Sequence, residues 1–394
     1  MVKTRARPRR HLTDGHEPVL DRSTPVVLVW PSISVIRSLG RLGVPVFCVD
    51  ATGLAAATAS RYCSGAVSWD LDTADPDESL EMLTRLAQTV GNRPVLLAAD
   101  DHGALFVARH SAALAPWYRL QHPKPEVARA LSTNRTMFEL CRQLGVPTPG
   151  AVFPRSRADV EAAIGDLRFP VIVKRLDTEL RERRRGVRTA IARDRAELLA
   201  HYNALEDPAS PNLMLQEHVA GGPESVWIFN GYFDSDSRCL FGCTGRTLRQ
   251  WPVWTGATSL GFCAPNPEIE RMVIELMKAI EYHGPVEVGL RHDHREGRYR
   301  LLDVNPRIGR TFRLFLGDTG LDVARVMHLD LTGRPVPATG CSGGRRWNAD
   351  LIRAAEFMRE GELDGGHDPG PFARMTMALA SSVVRRRARD LRPL

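Results

Sequence analysis

The sequence predicts two folded parts, an open parallel α/β sheet followed by a larger α+β domain. In the first part, the apolar runs 25–30 and 44–50 flank the amphipathic segment 34–43 through short loops, an order typical of a parallel sheet. From residue 126 to about 335, mixed strands and helices favour a domain with antiparallel strands. The length of 394 residues supports this division, because domains average about 150 residues.

Composition and charge are those of a globular protein with two basic ends. Hydrophobic residues make up 43% and charged residues 25% of the chain, which argues against wholesale disorder. Residues 1–10 contribute +5 and residues 385–392 contribute +4 to the net charge of +7, so the remainder carries −2. The part of the chain between the two basic ends therefore lacks the excess positive charge that is typical of nucleic-acid binding. We expect solvated tails, with weak contact to an anionic surface as the alternative.

The sequence has neither a membrane nor a secretion signal. No apolar run approaches the roughly 20 residues of a membrane-spanning helix, and no apolar stretch follows the basic N-terminus. The seven cysteines form no CxxC pair, and scattered thiols fit a reducing compartment. We therefore expect a cytoplasmic protein.

The first domain is expected at 25–125, after a disordered basic leader at 1–24. A helical pattern near 76–90 leads into a further strand at 94–100. GxGxxG does not follow the first strand, and GxxxxGK(S/T) does not occur in the sequence. Dinucleotide-binding and P-loop folds are therefore disfavoured.

The second domain is expected at 126–335, followed by a C-terminal extension at 336–394. Periodicity predicts helices at 133–144, 157–165, 194–206 and 268–282, and strands at 169–174, 213–219, 226–233, 285–290 and 299–304. A polar, arginine-rich loop is expected at 177–188. The extension holds a candidate amphipathic helix at 372–383, which we expect to pack on its own domain, with an anionic membrane as the alternative.

The strongest local signal for chemistry is a hairpin. If its loop centres on Arg295, Glu287 faces Asp303, and Asn305 lies on the same side of the sheet. Two carboxylates and an amide oxygen are suited to Mg²⁺ that is already held by phosphates. One alternative is a solvated hairpin face that ends in an Asn-Pro turn. Another is an asymmetric loop, which would bring Gly289 to the first metal position.

Two further segments suggest nucleotide binding. Lys174 ends the apolar strand FPVIVK in a chain where 49 of 53 basic residues are arginine, and a lysine there is suited to phosphate. The strand LMLQEHV places Glu217 and Val219 where backbone groups can meet a purine, and Glu224 follows a Gly-Gly turn where it can accept from ribose hydroxyls. The alternatives are a solvent-reaching lysine and surface acids near a turn.

These segments occur in the order seen in the ATP-grasp ligases, and the chain resembles that superfamily over about residues 25–335. The similar segments are SVIRSLGRLGVPVFCVD, NRTMFELCRQLGVPTP, FPVIVK, LMLQEHV and LLDVNPR. The resemblance is greatest to carboxylate–amine ligases related to carbamoyl-phosphate synthetase and D-aspartate ligase. It implies an α/β pre-domain at 25–125 and a two-lobed ATP-grasp domain at 126–335 that holds a nucleotide between its lobes.

The resemblance also implies an activity, the ATP-dependent joining of a carboxylate to an amine. The carboxylate attacks the γ-phosphate to give an acyl phosphate, which the amine captures as an amide. Metal and basic side chains neutralise the transferring phosphoryl group. The implied partners are ATP, Mg²⁺ and two small-molecule substrates, and a homodimer is common in the superfamily.

The resemblance assigns residues by position. The phosphate ligands are Lys174 and Arg135, the adenosine ligands Glu217, Val219 and Glu224, and the Mg²⁺ ligands Glu287, Asp303 and Asn305. Arg307 is the residue expected to stabilise developing phosphate charge, with Lys174 as the second catalytic group. The segment 245–261 resembles the lining of the acceptor pocket, which makes Arg249, together with Arg310, a candidate substrate ligand.

Three departures from the superfamily pattern leave a rival function open. Arg135 stands where lysine is common, Asp303 where glutamate is usual, and the phosphate-covering loop 177–188 has only one glycine, Gly186. The rival is a non-catalytic nucleotide-binding or regulatory protein on the same fold. A biotin-dependent carboxylase component is a weaker alternative, because no biotin-carrier domain follows.

Overall fold

The computed structural model describes residues 19–51, 57–58, 60–176, 189–207, 211–251, 257–341 and 343–348. Its strands form three sheets, one parallel and two antiparallel, which confirms the predicted mixture of α/β and α+β structure. None of the helices within these ranges has the length and hydropathy needed to cross a bilayer. The arginine-rich loop at 177–188 and the candidate helix at 372–383 lie outside the described residues.

The first sheet is parallel, as predicted. Its elements are β1 (Val26–Val29), α1 (Ile33–Gly40), β2 (Val46–Asp50), β3 (Gly65–Ser68), α2 (Pro76–Val90) and β4 (Val95–Ala98). The strand order is β3-β2-β1-β4. Every residue of β1 is buried, because a central parallel strand is covered on both faces. Leu20 and Thr24, within the predicted leader, are buried as well, so packing begins before residue 25.

Four helices follow the first sheet. They are α3 (Asp101–Arg109), α4 (Ser111–Leu114), α5 (Pro125–Ser132) and α6 (Asn134–Gln143). α6 corresponds to the helix predicted at 133–144. α3 was not predicted, although Asp100 caps it by accepting a hydrogen bond from the N–H of Gly103 at 2.7 Å.

The second sheet has four antiparallel strands among the described residues. The elements are β5 (Ala151–Val152), α7 (Arg157–Ala163), β6 (Val171–Arg175), β7 (Thr189–Ala192), α8 (Arg195–Leu205) and β8 (Leu213–Glu217). The strand order is β5-β8-β6-β7. Val173 and Leu215 pack with Leu198 of α8 in a small core, so the sheet has its own hydrophobic support.

The third sheet is the largest in the described part of the chain. The elements are β9 (Val226–Phe233), β10 (Cys239–Trp251), β11 (Ala257–Cys263), α9 (Pro267–Ala279), β12 (Gly284–Asp293), β13 (Arg298–Asn305), α10 (Val323–Leu331) and β14 (Arg346–Asn348). The strands are antiparallel in the order β13-β12-β9-β10-β11-β14.

The two faces of the third sheet contact different cores. Phe229 and Val288 lie in a core with residues of α6 and α9. On the opposite face, Ile228 and Tyr232 join a core that includes Leu28 of the first sheet. Because side chains alternate along a strand, polar residues next to Phe229 and Val288 project towards the first sheet.

The predicted pairing of Glu287 with Asp303 is wrong. Glu287 pairs with Asn305, and Gly289 pairs with Asp303. The hairpin loop has an even number of residues, so no residue lies at its centre, and β13 carries one extra residue, Leu302, without an opposite partner. Such a β-bulge shifts all pairs beyond it by one position. The pairing of Gly289 with Asp303 thus arises from a bulge within β13 rather than from an asymmetric loop.

Candidate active site

Three polar side chains lie in one row across the third sheet. Glu287 on β12 pairs with Asn230 on β9 and with Asn305 on β13. Directly opposite residues of antiparallel strands project from the same face, with Cβ atoms about 4.5–5.5 Å apart. Asp303 is two residues before Asn305 and projects from that face too. The predicted metal ligands are thus brought together, although by a different register.

The Glu287 carboxylate is closely surrounded by neighbouring residues, and 14% of the side chain is exposed. Its Oε2 accepts hydrogen bonds from Thr311 Oγ1 at 2.5 Å and from Asn230 Nδ2 at 3.3 Å. A Cβ on Gly309 would lie 2.0 Å from Oε2, so only glycine leaves room for the carboxylate. Burial raises the pKa of Glu287, because the ionised form loses hydration. A bound cation would offset that loss.

Asp303 occupies space that a glycine leaves open on the neighbouring strand. A Cβ on Gly289 would lie 2.0 Å from Asp303 Oδ1. Asn305 Nδ2 donates to Asp303 Oδ2 at 3.5 Å. After burial, the negative charge of Asp303 is a further cause of the raised pKa of Glu287. The two carboxylates therefore lie within electrostatic reach of each other.

This donor set fits Mg²⁺. Carboxylate and amide oxygens are hard ligands, and protein sites for Mg²⁺ commonly supply one or two carboxylates while phosphates and water complete the octahedron. Oδ1 of Asn230, on the side chain that contacts Glu287, is buried and has no hydrogen-bond partner in the described part of the chain. Among the described residues, no group of three or more His, Cys, Asp or Glu side chains is arranged to hold a metal ion.

Arg307 follows β13 and contacts the same cluster. Its Nε and Nη2 lie 2.8 and 3.4 Å from the carboxylate oxygens of Asp101, and Nη2 donates to Asn305 Oδ1 at 3.4 Å. Nη1 lies 3.9 Å from Glu287 Oε1. Asp101 is the first residue of α3 and was missed in the sequence, where the only signal was an Asp pair after a strand, typical of a helix N-terminus. The site thus combines residues that are 206 positions apart in the chain.

The start of α6 carries Arg135 and is contacted by the side chain of Lys174 on β6. Lys174 Nζ donates at 3.2 Å to Oδ1 of Asn134, the first residue of that helix. Arg135 is the next residue, and its guanidinium lies 4.6 Å from the ring centroid of Phe153. Helix N-termini attract anions, and two cationic side chains strengthen that attraction. The start of α6, with these two cationic side chains, is therefore electrostatically suited to phosphate.

β8 places Glu217 and Val219 next to the hairpin. The Glu217 carboxylate accepts a hydrogen bond from the N–H of Gly150 at 3.2 Å and lies 3.4 Å from Arg300 Nη1 on β13. The side chain is therefore engaged within the protein, and the backbone is the part suited to a purine. Among the described residues, no backbone hydrogen bond reaches the N–H of Val219.

The remaining predicted residues lie around the third sheet. The carbonyl oxygen of Glu224, in the turn before β9, accepts a hydrogen bond from Arg246 Nε at 2.6 Å. Arg249 on β10 donates to Ser259 Oγ at 3.2 Å. Arg310 is exposed on the loop after β13. The assignment of Glu224 to ribose and of the two arginines to substrate stays a prediction.

Two curated proteins are similar in sequence. D-aspartate ligase of Enterococcus faecium is 23% identical over 269 residues, 64% of this chain and 62% of that protein. The carbamoyl phosphate synthase large chain of Methanoregula boonei is 24% identical over 197 residues, 48% of this chain and 18% of that protein. The chain therefore spans less than two thirds of the length of these relatives. No protein-family model matches it.

The fold is shared with a solved ligand complex. The biotin carboxylase domain of the Hydrogenobacter thermophilus 2-oxoglutarate carboxylase, a dimer in complex with MgADP and bicarbonate, aligns over 79% of this chain and 70% of its own length. The TM-score is 0.60 and the identity 17%, a likeness that concerns the fold alone. The chain is thus similar in sequence to D-aspartate ligase and to the carbamoyl phosphate synthase large chain and similar in fold to a biotin carboxylase domain, which agrees with its resemblance to the ATP-grasp superfamily.

Proposed function

We propose that the chain is an ATP-dependent ligase that joins a carboxylate to an amine through an acyl phosphate. The observation that carries this proposal is the convergence of Glu287, Asp303, Asn305 and Arg307 on one face of the third sheet. Phosphoryl transfer depends on positioning and on neutralising charge, and a pair of carboxylates for a metal beside a fixed guanidinium supplies both. The similarity to D-aspartate ligase supports an amino acid as one substrate.

The proposal includes a division of the chain. The first sheet, within 25–125, is the pre-ATP-grasp domain, the second sheet and strands β9 to β13 of the third sheet, within 126–335, are the two lobes, and 336–394 is an extension that adds β14 to the third sheet. A contact between the proposed lobes supports this arrangement. Arg300 on β13 donates to the carbonyl oxygen of Thr148 at 3.0 Å and lies 3.4 Å from Glu217 at the end of β8. The end of β8, where the purine is proposed to bind, therefore lies next to the hairpin.

Lys174 and Arg135 bind the phosphates in this proposal, at the start of α6. The backbone of Glu217 and Val219 holds the purine, and Glu224 holds the ribose. A lysine ammonium is a compact point charge, whereas the Arg135 guanidinium is planar and lies over the Phe153 ring. Support comes from the hydrogen bond that ties Lys174 to the first residue of α6.

Glu287, Asp303 and Asn305 would hold Mg²⁺. Bound there, the ion neutralises negative charge on the phosphates. Thr311 and Asn230 orient the Glu287 carboxylate through their hydrogen bonds to Oε2. A side chain larger than that of Gly309 would displace this oxygen, because a Cβ there would lie 2.0 Å from it. These contacts prepare the site before ligands arrive.

Arg307 stabilises the charge that develops on the transferring phosphoryl group. A substrate carboxylate oxygen attacks the γ-phosphorus, the bond to the bridging oxygen breaks and ADP leaves. The amine nitrogen then attacks the acyl carbon, phosphate leaves and the nitrogen loses a proton. Arg249 and Arg310 are proposed to hold the substrate carboxylate. A homodimer is proposed as well, because the biotin carboxylase domain with this fold is described as a dimer.

An assay of ADP and phosphate release tests the proposal. The purified protein is supplied with ATP, Mg²⁺ and a matrix of D- and L-amino acids as carboxylates and amines, each omitted in turn. We expect equal amounts of ADP and phosphate, released only when both substrates are present, and Arg307→Ala should abolish this release. Nucleotide binding without turnover for any pair of substrates would favour the non-catalytic alternative. That alternative is open partly because Asp303 is shorter than the usual glutamate.

A further inference from the structure

Three thiols lie close together in the part of the third sheet formed by β10, β11 and β14, whereas the candidate site lies on the side of β12 and β13. Cys243 on β10 and Cys263 at the end of β11 are 1% and 0% exposed, whereas Cys341 is partly exposed in the segment before β14. The sulfur atoms of Cys263 and Cys341 lie 3.0 Å apart. Both also lie near the carbonyl oxygen of Thr244, at 3.5 and 3.7 Å. The proposed ligase chemistry uses none of these thiols.

The geometry favours a covalent bond over a metal ion. Two thiolates on one tetrahedral zinc ion, with zinc–sulfur bonds of about 2.3 Å, would place their sulfurs about 3.8 Å apart. The observed 3.0 Å is shorter, and no suitable metal-binding group occurs among the described residues. A disulfide needs sulfurs about 2.05 Å apart, so Cys263 and Cys341 would have to approach by only about 1 Å.

The surroundings activate one thiol of the cluster. Hydrogen bonds from Cys243 and Cys341, together with the positive charge of Arg345, lower the pKa of Cys263. The thiolate is the reactive form towards oxidants, which places the nucleophile next to a partly exposed thiol. The other close pair differs, because Cys48 and Cys63 are 3.6 Å apart and burial raises the pKa of Cys48.

We propose that Cys263 and Cys341 form a reversible disulfide when the protein meets a peroxide. The Cys263 thiolate attacks one peroxide oxygen, the O–O bond breaks, and Cys263 sulfenic acid and hydroxide form; the hydroxide takes up a proton from the solvent and becomes water. The Cys341 sulfur then attacks the Cys263 sulfur, the S–S bond forms, and the S–O bond breaks. The hydroxide leaves with the Cys341 proton as a second water. The two sulfurs lose two electrons in total, which the peroxide gains.

The disulfide would cross-link the two ends of the chain segment that carries the candidate site. It would close the loop from 263 to 341, which contains β12 and β13 with Glu287 and Asp303. Cross-links stabilise mainly by restricting the unfolded chain, and more so for long loops. We therefore expect peroxide to raise the apparent melting temperature by roughly 4–8 °C and a dithiol reductant to reverse this rise.

Peptide mapping of the full-length protein tests the proposal without any activity assay. Trypsin should release Cys263 in peptide 250–271 and Cys341 in peptide 326–345, since Arg334 precedes proline. After treatment with hydrogen peroxide and alkylation, we expect these two peptides as one disulfide-linked species that reductant separates. Cys341→Ser should lose both the species and the melting shift, while Cys239→Ser, a thiol outside the cluster, should keep both.

Three results would overturn the proposal. One is that both peptides stay alkylated after peroxide treatment. Another is that Cys263 is linked to the peptide of Cys243. The third is that only a link between Cys48 and Cys63 forms. The wild-type map decides among these results even if Cys341→Ser fails to fold.

Discussion

Arg307 and Asp101 form an ion pair that joins the end of β13 to the start of α3, with Nε 2.8 Å from Oδ1. Only 11% of the Arg307 side chain is exposed, compared with 63% for Asp101. Burial acts to lower the pKa of Arg307, but the negative charges of Asp101, Glu287 and Asp303 outweigh it and raise the pKa. The guanidinium is therefore kept charged and oriented towards the hairpin carboxylates.

Replacement of Asp101 by asparagine tests whether this pair positions Arg307. We expect Asp101→Asn to lower kcat about tenfold with little change in the KM for ATP, because it misorients a group that acts in the transition state. A coupled ADP-release assay measures both constants. Asp77→Asn, at an exposed acid on α2, is the matched control. An unchanged kcat in Asp101→Asn would remove Asp101 from the site.

Lys174 is predicted to contact phosphate. Lys174→Ala should weaken the binding of a non-hydrolysable ATP analogue by at least about tenfold, because a charged hydrogen bond contributes about 1.5–3 kcal/mol. Isothermal calorimetry measures the affinity. Lys124→Ala is the matched control, since Lys124 pairs with Glu281 on the surface. Equal affinities for the two variants would contradict the phosphate role.

Glu287 should make the stability of the metal-free protein depend on pH. Its pKa is raised above the ordinary 4.5, chiefly by burial, so the folded state holds this proton more tightly than the unfolded state. The resulting stability is fully present below pH 4.5 and is lost as the pH rises through the folded pKa. Glu287→Gln should therefore melt at a higher temperature than the wild type at neutral pH without Mg²⁺.

Melting curves recorded across the acidic and neutral range measure this difference. Glu275→Gln, at an exposed position on α9, is the control and should follow the wild type. Mg²⁺ with an ATP analogue should stabilise the wild type more than Glu287→Gln, because binding to the folded state adds to stability. A constant difference between Glu287→Gln and wild type at all pH values would show that the carboxylate does not titrate abnormally.

The buried pair of Arg300 and Asp293 supports the hairpin. Arg300 Nε lies 2.9 Å from Asp293 Oδ2, and their side chains are 7% and 2% exposed. Asp293→Ala should lower the free energy of unfolding by about 1–3 kcal/mol, because Arg300 loses its most buried partner, although it keeps Glu217 and Glu296. Asp236→Ala, which removes the partner of Arg238 in an exposed pair, should cost at most about 1 kcal/mol. Urea denaturation followed by fluorescence compares the two, and equal losses would contradict the prediction.

Much of the fold was predictable because its signals are local. The helix expected near 76–90 is α2 at Pro76–Val90, and the strand expected at 226–233 is β9 at Val226–Phe233. Apolar periodicity and the Pro and Gly residues at element ends need no information from distant parts of the chain. Short or irregular elements such as β5 and β14 were missed, because they are defined by partners rather than by their own pattern.

The sequence by itself determined that Asp303 and Asn305 project from one face of a strand, because side chains two residues apart point the same way, and that this strand forms a hairpin with the strand of Glu287. Only the tertiary structure decided that Glu287 faces Asn305, since one bulged residue shifts the pairing. It also brought Asp101 to Arg307, 206 positions away. Such contacts depend on how separately formed sheets pack, and no local pattern encodes that packing.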